Sequence, residues 1–356
     1  MFLYYQVKDR TSFRKSQKKH PVGAFFLSPH VLFSNLKKSS KIIFGKKYIV
    51  NIDNSINIVY GIDNNFVRPL GISMTSIIKN NIDNNIIFHI FSDYIDKASQ
   101  KLLKTFAETT NSIVVIYLID STIFDNLPYT NHFSKATYNR FLMPQILDGI
   151  VNKFIYIDAD VQCFGSLKSL MQLDLKDNVV AVVNDLPYVR EKQIKKLNIK
   201  NNKYFNAGFM FIDTKKWNDN NISEKAIKLS FDNLGRFAWL DQDALNIVLD
   251  GKCLYIDKKY DYLLNMKHKN VILPNDVVFV HYVGRYKPWT EWCLHPLKEK
   301  FLSVARNSLW KDIPLIKPTT YKTMKMMGRS SILYGKYISG IYWYLKYAIY
   351  KIKSKL

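Results

Sequence analysis

Phe154-Ile155-Tyr156-Ile157-Asp158-Ala159-Asp160-Val161 is the stretch from which the fold can be read. An apolar run leads into two carboxylates spaced two residues apart. Such a run, short and largely β-branched or aromatic, reads as a strand buried on both faces, as in parallel sheets. Alternation along extended chain aims Asp158 and Asp160 to the same side. Two carboxylates placed in that way share one hard divalent cation, and a metal–diphosphate complex is the natural ligand for such a pair. The string also fits a phosphatase with Asp158 as nucleophile. That chemistry normally sits near the start of a domain, whereas three strands come first here.

Outward from this string the pattern alternates. Runs at 56–61, 86–92, 113–118, 153–157 and 179–183 read as strands. Helical segments separate the earlier ones, at roughly 68–80, 95–109 and 136–147. Strand and helix in alternation predict an α/β layered domain. Ligands of open α/β sheets bind beyond the carboxyl ends of the strands, so the residues that follow each strand carry the functional reading.

After the first strand comes Gly61-Ile62-Asp63-Asn64-Asn65-Phe66. Gly61 allows close approach of a ligand to the backbone. Asp63 and the two Asn residues can accept from a base or ribose, and the following helix N-terminus favours negative charge. The same residue types also serve as ordinary turn formers and N-caps. Near the other end, Val280-His281-Tyr282-Val283-Gly284-Arg285-Tyr286-Lys287 places a His at a strand end, a Gly turn and then a Lys. The imidazole can complete an Asp₂His site with Asp158 and Asp160 for a manganese-like ion. Gly284 and Lys287 suit a phosphate. Polar groups among apolar ones recur in Phe205-Asn206-Ala207-Gly208 and in Leu240-Asp241-Gln242-Asp243, a set suited to sugar hydroxyls. Arg140, in Thr137-Tyr138-Asn139-Arg140-Phe141, is a fork for a diphosphate or sugar, or else a surface ion pair.

Composition bounds the rest. The chain has 356 residues, 47% hydrophobic and 14% aromatic, which excludes a disordered protein. Cys163, Cys253 and Cys293 are odd in number and far apart, so they form no disulfide framework and point to a reducing compartment. The formal charge is +23, of which residues 1–48 and 317–356 carry +19; the stretch 49–316 is near balance at about +4. Basic ends imply a polyanion: nucleic acid, an anionic membrane or a phosphorylated glycolipid. Read as a helix, the tail gathers Ile338, Ile341, Leu345, Ala348, Ile349 and Ile352 within an arc of roughly 100°. Its lysines fall outside that arc. Its longest uncharged run, 337–345, is far short of the ~20 residues that span a bilayer. A basic, aromatic-flanked amphipathic helix suits a membrane interface, and the alternative is a helix packed on its own domain.

Five motifs thus stand in one order: the strand with GIDNNF, then YNRF, YIDAD, FNAG with LDQDALN, and HYVGRYKPW. The set resembles the retaining nucleotide-sugar glycosyltransferases of family 8, over about residues 55–318, and within them the bacterial lipopolysaccharide core glucosyl- and galactosyltransferases. The resemblance implies a GT-A fold, with a mostly parallel central sheet and a helical, basic C-terminal extension. It implies a basic N-terminal extension (1–54), a catalytic domain (55–275), a C-terminal module completing the metal and UDP site (276–318) and the basic tail (319–356). Gly61, Ile62, Asp63, Asn64, Asn65 and Phe66 would hold uridine. Asp158, Asp160 and His281 would bind Mn²⁺ or Mg²⁺, and Gly284 and Lys287 would grip phosphate beside Asp158 and Ala159. Arg140, Asn206, Asp241 and Gln242 would place the hexose of UDP-glucose or UDP-galactose, with Gln242 near the anomeric carbon, and Asp185 would face the acceptor. The acceptor implied is a hydroxyl of the lipopolysaccharide core, reached through an α-1,2 or α-1,3 linkage. The enzyme would sit in the cytoplasm, held peripherally on the anionic inner face of the bacterial inner membrane by its basic termini. A different surface glycan is the alternative acceptor. No helix-turn-helix, RNP or zinc pattern supports nucleic-acid binding.

Overall fold

The computed structural model describes residues 40–45, 55–128 and 135–354. Eleven strands fall among them: β1 (Ser40–Phe44), β2 (Ile56–Gly61), β3 (Ile86–Ser92), β4 (Ile113–Leu118), β5 (Lys153–Ile157), β6 (Val161–Cys163), β7 (Val180–Asn184), β8 (Phe205–Asp213), β9 (Cys253–Tyr255), β10 (Tyr262–Asn265) and β11 (Phe279–Val283). The helices of eight or more residues are α1 (Val67–Asn80), α2 (Lys97–Thr110), α3 (Pro187–Leu197), α4 (Ile222–Asp232), α5 (Asp241–Val248), α6 (Lys298–Arg306), α7 (Tyr321–Leu333) and α8 (Tyr337–Lys353).

Eight strands form the central sheet in the order β1-β4-β3-β2-β5-β8-β7-β9. Six run one way; β1 and β8 run against their neighbours. The inner strands are buried on both faces, as their unbroken apolar runs require. Alternate residues feed opposite cores. Ile58, Tyr60, Phe88 and Ile155 pack on one side; Val59, Phe91, Phe154 and Met210 pack on the other. The helix expected at 136–147 is instead a 3₁₀ turn, Lys135–Phe141, followed by the single turn Met143–Ile146. Pro144 sits in that turn's opening positions, where its missing N–H is harmless, but it would break a helix running through from 136. Ser40–Phe44, which the sequence reading left in the basic extension, pairs along β4 as an edge strand.

The topology gathers the motifs at one sheet edge. Parallel pairing of β2 with β5 puts Gly61 and Asp158 at neighbouring carboxyl ends. Because β8 is antiparallel to β5, it begins at that same edge with Phe205 and Asn206. A second sheet, β10-β11-β6, continues from β5, and its register sets His281 opposite Val161 on one side and Leu263 on the other.

The C-terminal segment folds back as a hairpin. Thr320 and Thr323 close a capping box at the start of α7. The two helices touch at Gly328 and Gly340: a Cβ on Gly340 would stand 2.5 Å from Ile332 Cγ1. The face of α8 that meets α7 is therefore not its aliphatic stripe. Ile338 (88% exposed), Ile341, Leu345, Ile349 and Ile352 all remain open to solvent. Among the described residues, no helix is long and apolar enough to cross a membrane.

Trp310 ties the region after β11 to the main domain. It is fully buried, lies against Phe106, and covers Gly71 of α1 so closely that a Cβ there would be 2.2 Å from the indole. Trp310→Ala should lower the unfolding free energy by about 3–5 kcal/mol in urea titrations. Gly71→Ala, which in an exposed helix would add up to about 1 kcal/mol of stability, should here destabilise; a neutral or stabilised Gly71→Ala protein would refute this packing.

Candidate active site

The strand β5 ends at Ile157, and a tight turn presents Asp158 and Asp160 before β6 begins. Asp158 N–H donates to the Gly208 carbonyl (2.9 Å) and Val161 N–H to the Asp158 carbonyl (3.1 Å). The two side chains are then held by different partners. Asp158 Oδ1 accepts from Tyr156 Oη (2.6 Å) and from Arg140 Nη2 (3.0 Å). Asp160 Oδ1 lies 3.2 Å from His281 Nε2, and Asp160 Oδ2 accepts from Lys287 Nζ. Lys287 also donates to the Tyr282 carbonyl across the turn at Gly284, whose φ of +81° favours glycine.

One oxygen each from Asp158 and Asp160 and one nitrogen of His281 all lie within 4.8 Å of one another. Two hard oxygens and an imidazole suit a manganese-like divalent ion. Without a cation, the cluster balances itself. Burial alone would raise Asp160, but the Lys287 ammonium and His281 beside it hold it well below the usual carboxylate range. Burial alone would lower His281, but Asp160 and Asp261 push it up to about 10. A cation held here would compete with the proton on His281, so its affinity would rise with pH.

Arg140 is not at the surface. It is buried, with its Nε 2.9 Å from Asp241 Oδ2 and its guanidinium 4.6 Å from the Tyr156 ring centroid. The same Nε donates to the Thr137 carbonyl (3.1 Å), and Nη1 donates to the Ala207 carbonyl (2.5 Å). Arg140 thus bridges Asp158 and Asp241 as a buried ion pair, not a surface one. Burial raises Asp241 to about 6, restrained by Arg140 and by a 2.8 Å hydrogen bond from Thr137.

Gln242 is clamped. Its Oε1 accepts from Ala207 N–H (3.0 Å), and its Nε2 donates to Asp185 Oδ2 (2.8 Å) and Tyr204 Oη (3.0 Å). Asn206 Nδ2 reaches the same Asp185 oxygen at 3.4 Å. In the loop after β2, Asp63 caps the turn through Asn65 N–H, and Phe66 meets Trp289 edge to face at 6.4 Å. Ile62 is buried beneath the loop, and Ala159 lies between the two aspartates. Asn64 turns away: its amide pairs reciprocally with Asp96 at the start of α2 (2.7 and 3.0 Å).

The structure adds residues that the sequence reading passed over. Tyr156 and Thr137 stood inside quoted strings without a role. Tyr204 had no local signal. Nor had Asp261, whose carboxylate is fully buried with its Oδ1 3.3 Å from His281 Nδ1. Behind the ring, a Cβ at Gly208 would fall 2.2 Å from His281 Cε1, so the imidazole has one available orientation.

A parallel sheet ending in a carboxylate pair, a His and a Lys defines a nucleotide-sugar transferase of the GT-A type. The chain belongs to glycosyltransferase family 8. The family model described as Glycosyl transferase family 8 matches residues 57–293, and the family 8 C-terminal model matches 295–351, a span that includes α7 and all but the last two residues of α8. The chain is 35% identical over 302 residues to the lipopolysaccharide 1,3-galactosyltransferase of Salmonella typhimurium, covering 82% of this chain and 90% of that protein. It is 31% identical over 304 residues to the lipopolysaccharide 1,2-glucosyltransferase of Escherichia coli K12, with the same coverage. The crystal structure of the galactosyltransferase LgtC with donor and acceptor sugar analogues superposes with a TM-score of 0.63 at 25% identity, over 71% of this chain and 96% of that one.

Asp261 should orient His281 for metal binding. Asp261→Leu, which leaves no buried charge behind, should weaken Mn²⁺ binding by about 10- to 100-fold in calorimetric or free-ion EPR titrations. Asp261→Asn, still able to accept from Nδ1–H, should lose less. Wild-type Mn²⁺ affinity in the Leu variant would contradict the role.

Proposed function

We propose that this chain transfers glucose or galactose from a UDP-hexose to a hydroxyl of the lipopolysaccharide core oligosaccharide, with retention at the anomeric carbon. The observation that carries the reading is the meeting of Asp158, Asp160 and His281, with one ligand atom from each within 4.8 Å of the others, and Lys287 against Asp160. Asp158, Asp160 and His281 would hold Mn²⁺ or Mg²⁺, which supplies Lewis-acid neutralisation of the departing diphosphate. The lipopolysaccharide 1,3-galactosyl- and 1,2-glucosyltransferases that the chain resembles support both the hexose and the acceptor class.

The protein's own groups have separable tasks. Lys287 lies close enough to Asp160 to pass its charge to a diphosphate at the same place, and the positive φ of Gly284 shapes the turn that brings it there. Gly61, Asp63, Asn65 and Phe66 line the uridine position, with Phe66 braced by Trp289. The charge Arg140 places behind Asp158 and Asp241 is fixed before substrate arrives, so little reorganisation is needed during transfer. Gln242, fixed on three sides, offers a preorganised dipole near the anomeric carbon, and Asp185 faces the incoming hydroxyl. That hydroxyl attacks from the face the UDP leaves, because no side chain stands free as a covalent nucleophile among these residues.

The exposed stripe of α8, flanked by Lys346, Lys351 and Lys353, supports peripheral contact with an anionic membrane surface.

Asp158→Asn should remove hexose transfer to a truncated lipopolysaccharide acceptor, a loss of several powers of ten in kcat, with an unchanged circular dichroism spectrum. Full transfer by that variant would refute the site. The double variant Ile341→Gln, Leu345→Gln should pellet less with anionic liposomes while hydrolysing UDP-hexose at the wild-type rate; unchanged pelleting would show that the stripe is not the membrane contact.

A further inference from the structure

The near-neutral charge of residues 49–316 hides a concentration. The segment 187–203 alone holds Arg190, Lys192, Lys195, Lys196, Lys200 and Lys203 against the single acid Glu191. It forms α3 and the turn beyond, and it begins two residues after Asp185. An ordinary solvated helix face neutralises its lysines locally, and this protein does so elsewhere. Lys104 pairs with Glu108, Lys215 with Asp219 and Lys228 with Asp232, each one helical turn apart. On α3, by contrast, no carboxylate lies within ion-pairing distance of Arg190, Lys192 or Lys195 among the described residues.

The ridge is fixed to the site. Gln193 Nε2 donates to Asp243 Oδ1 (2.7 Å), and Lys196 Nζ donates to the Arg236 carbonyl (2.6 Å). Both contacts fall on the segment that carries Asp241 and Gln242. On its other side, Lys203 Nζ stands 4.9 Å from the ring centroid of Tyr255, whose phenol also feels the charge of Arg190. Tyr255 pairs with Val182 in the sheet, so the residues that follow it, Asp257 to Lys259, run beside the stretch that delivers Asp185. Two partly exposed aromatic rings belong to the same segments. Tyr188, at the start of α3, is 65% exposed, and Trp239, whose carbonyl accepts from Gln242 N–H, is 37% exposed.

We propose that this ridge (Arg190, Lys203 and Lys258, with Tyr188 as an aromatic platform) docks the negatively charged groups of an anionic oligosaccharide acceptor. This inference rests on the transfer reaction proposed above and deepens it. Guanidinium and ammonium groups that no carboxylate neutralises bind phosphate or carboxylate oxygens, and an exposed ring stacks on a sugar face. Arg190 follows Asp185 by five residues on α3, and Lys203 directly precedes Tyr204, whose carbonyl accepts from Asp185 N–H at 3.0 Å, so these charges flank the position proposed for the accepting hydroxyl.

The test compares wild type with the triple variant Arg190→Gln, Lys203→Gln, Lys258→Gln. The probe is a phosphorylated core oligosaccharide released by mild acid, offered intact, after phosphatase treatment, or after reduction of its sugar carboxylates. Direct calorimetric binding and transfer kinetics are both read. The variant should bind the intact oligosaccharide at least about tenfold more weakly and raise the acceptor KM equally, with kcat and the KM for UDP-hexose unchanged. Phosphatase treatment should reproduce the loss on wild type if the group is phosphate; carboxylate reduction should do so if it is a sugar acid. Equal binding of the intact oligosaccharide by wild type and variant would overturn the proposal, as would a variant whose only defect is weaker liposome pelleting. Failure of wild type to turn over any UDP-hexose would instead overturn the transfer reading, and the binding arm would still decide the ridge.

Discussion

Arg140 is the charge on which the site is built. It lies buried between Asp158 on the turn after β5 and Asp241 at the start of α5, and it donates to the Ala207 carbonyl on β8. Burying a guanidinium costs several kcal/mol, which its ion pairs offset only because every nitrogen is satisfied and the Tyr156 ring covers its face. Ion pairs so enclosed are poor stabilisers compared with apolar packing, but they fix geometry. Here three separate chain segments are brought into register by one side chain, and Asp158 is held ready for a cation. Without Arg140, Asp241 would be a buried carboxylate supported by hydrogen bonds from Thr137 and its own backbone N–H but by no cation.

A second constraint is the continuation of the main sheet into β10-β11-β6. The turn between β5 and β6 is only three residues long, so the aspartates cannot move independently of either sheet. Antiparallel pairing of β11 with β6 carries His281 to Asp160, and parallel pairing with β10 carries Asp261 in behind it. Phe66 against Trp289 then links the nucleotide loop to the segment carrying Lys287. The segment after β2 and the segment after β11 are thus joined by a direct aromatic contact beside the aspartate pair.

Much of this was legible in the sequence, and the exceptions have physical reasons. The buried strands announce themselves because double-faced burial demands unbroken apolar runs, and their carboxyl ends point to the chemistry. The edge strand β1 does not: it is largely exposed and lies in a lysine-rich stretch. Asp261 sits among Lys258, Lys259 and two tyrosines, a string that reads as surface; only strand pairing buries it. The pairing of the Asn64 amide with Asp96, 32 residues on, has no signal in the local string either. The tail's periodicity showed an amphipathic helix, but not that Gly328 and Gly340 would let it fold back on a second helix and leave its aliphatic stripe bare. The clustering of cations on α3 was obscured by averaging charge over the whole middle of the chain.

The central claim is that Asp158, Asp160 and His281 hold a divalent ion that drives departure of UDP. UDP release from UDP-glucose and from UDP-galactose, each with Mn²⁺ or with chelator, tests it most directly. The expected result is turnover of one of the two sugars that vanishes with chelator and returns with added Mn²⁺. Turnover that persists undiminished in chelator, or no turnover of either sugar even with a truncated lipopolysaccharide acceptor, would contradict it.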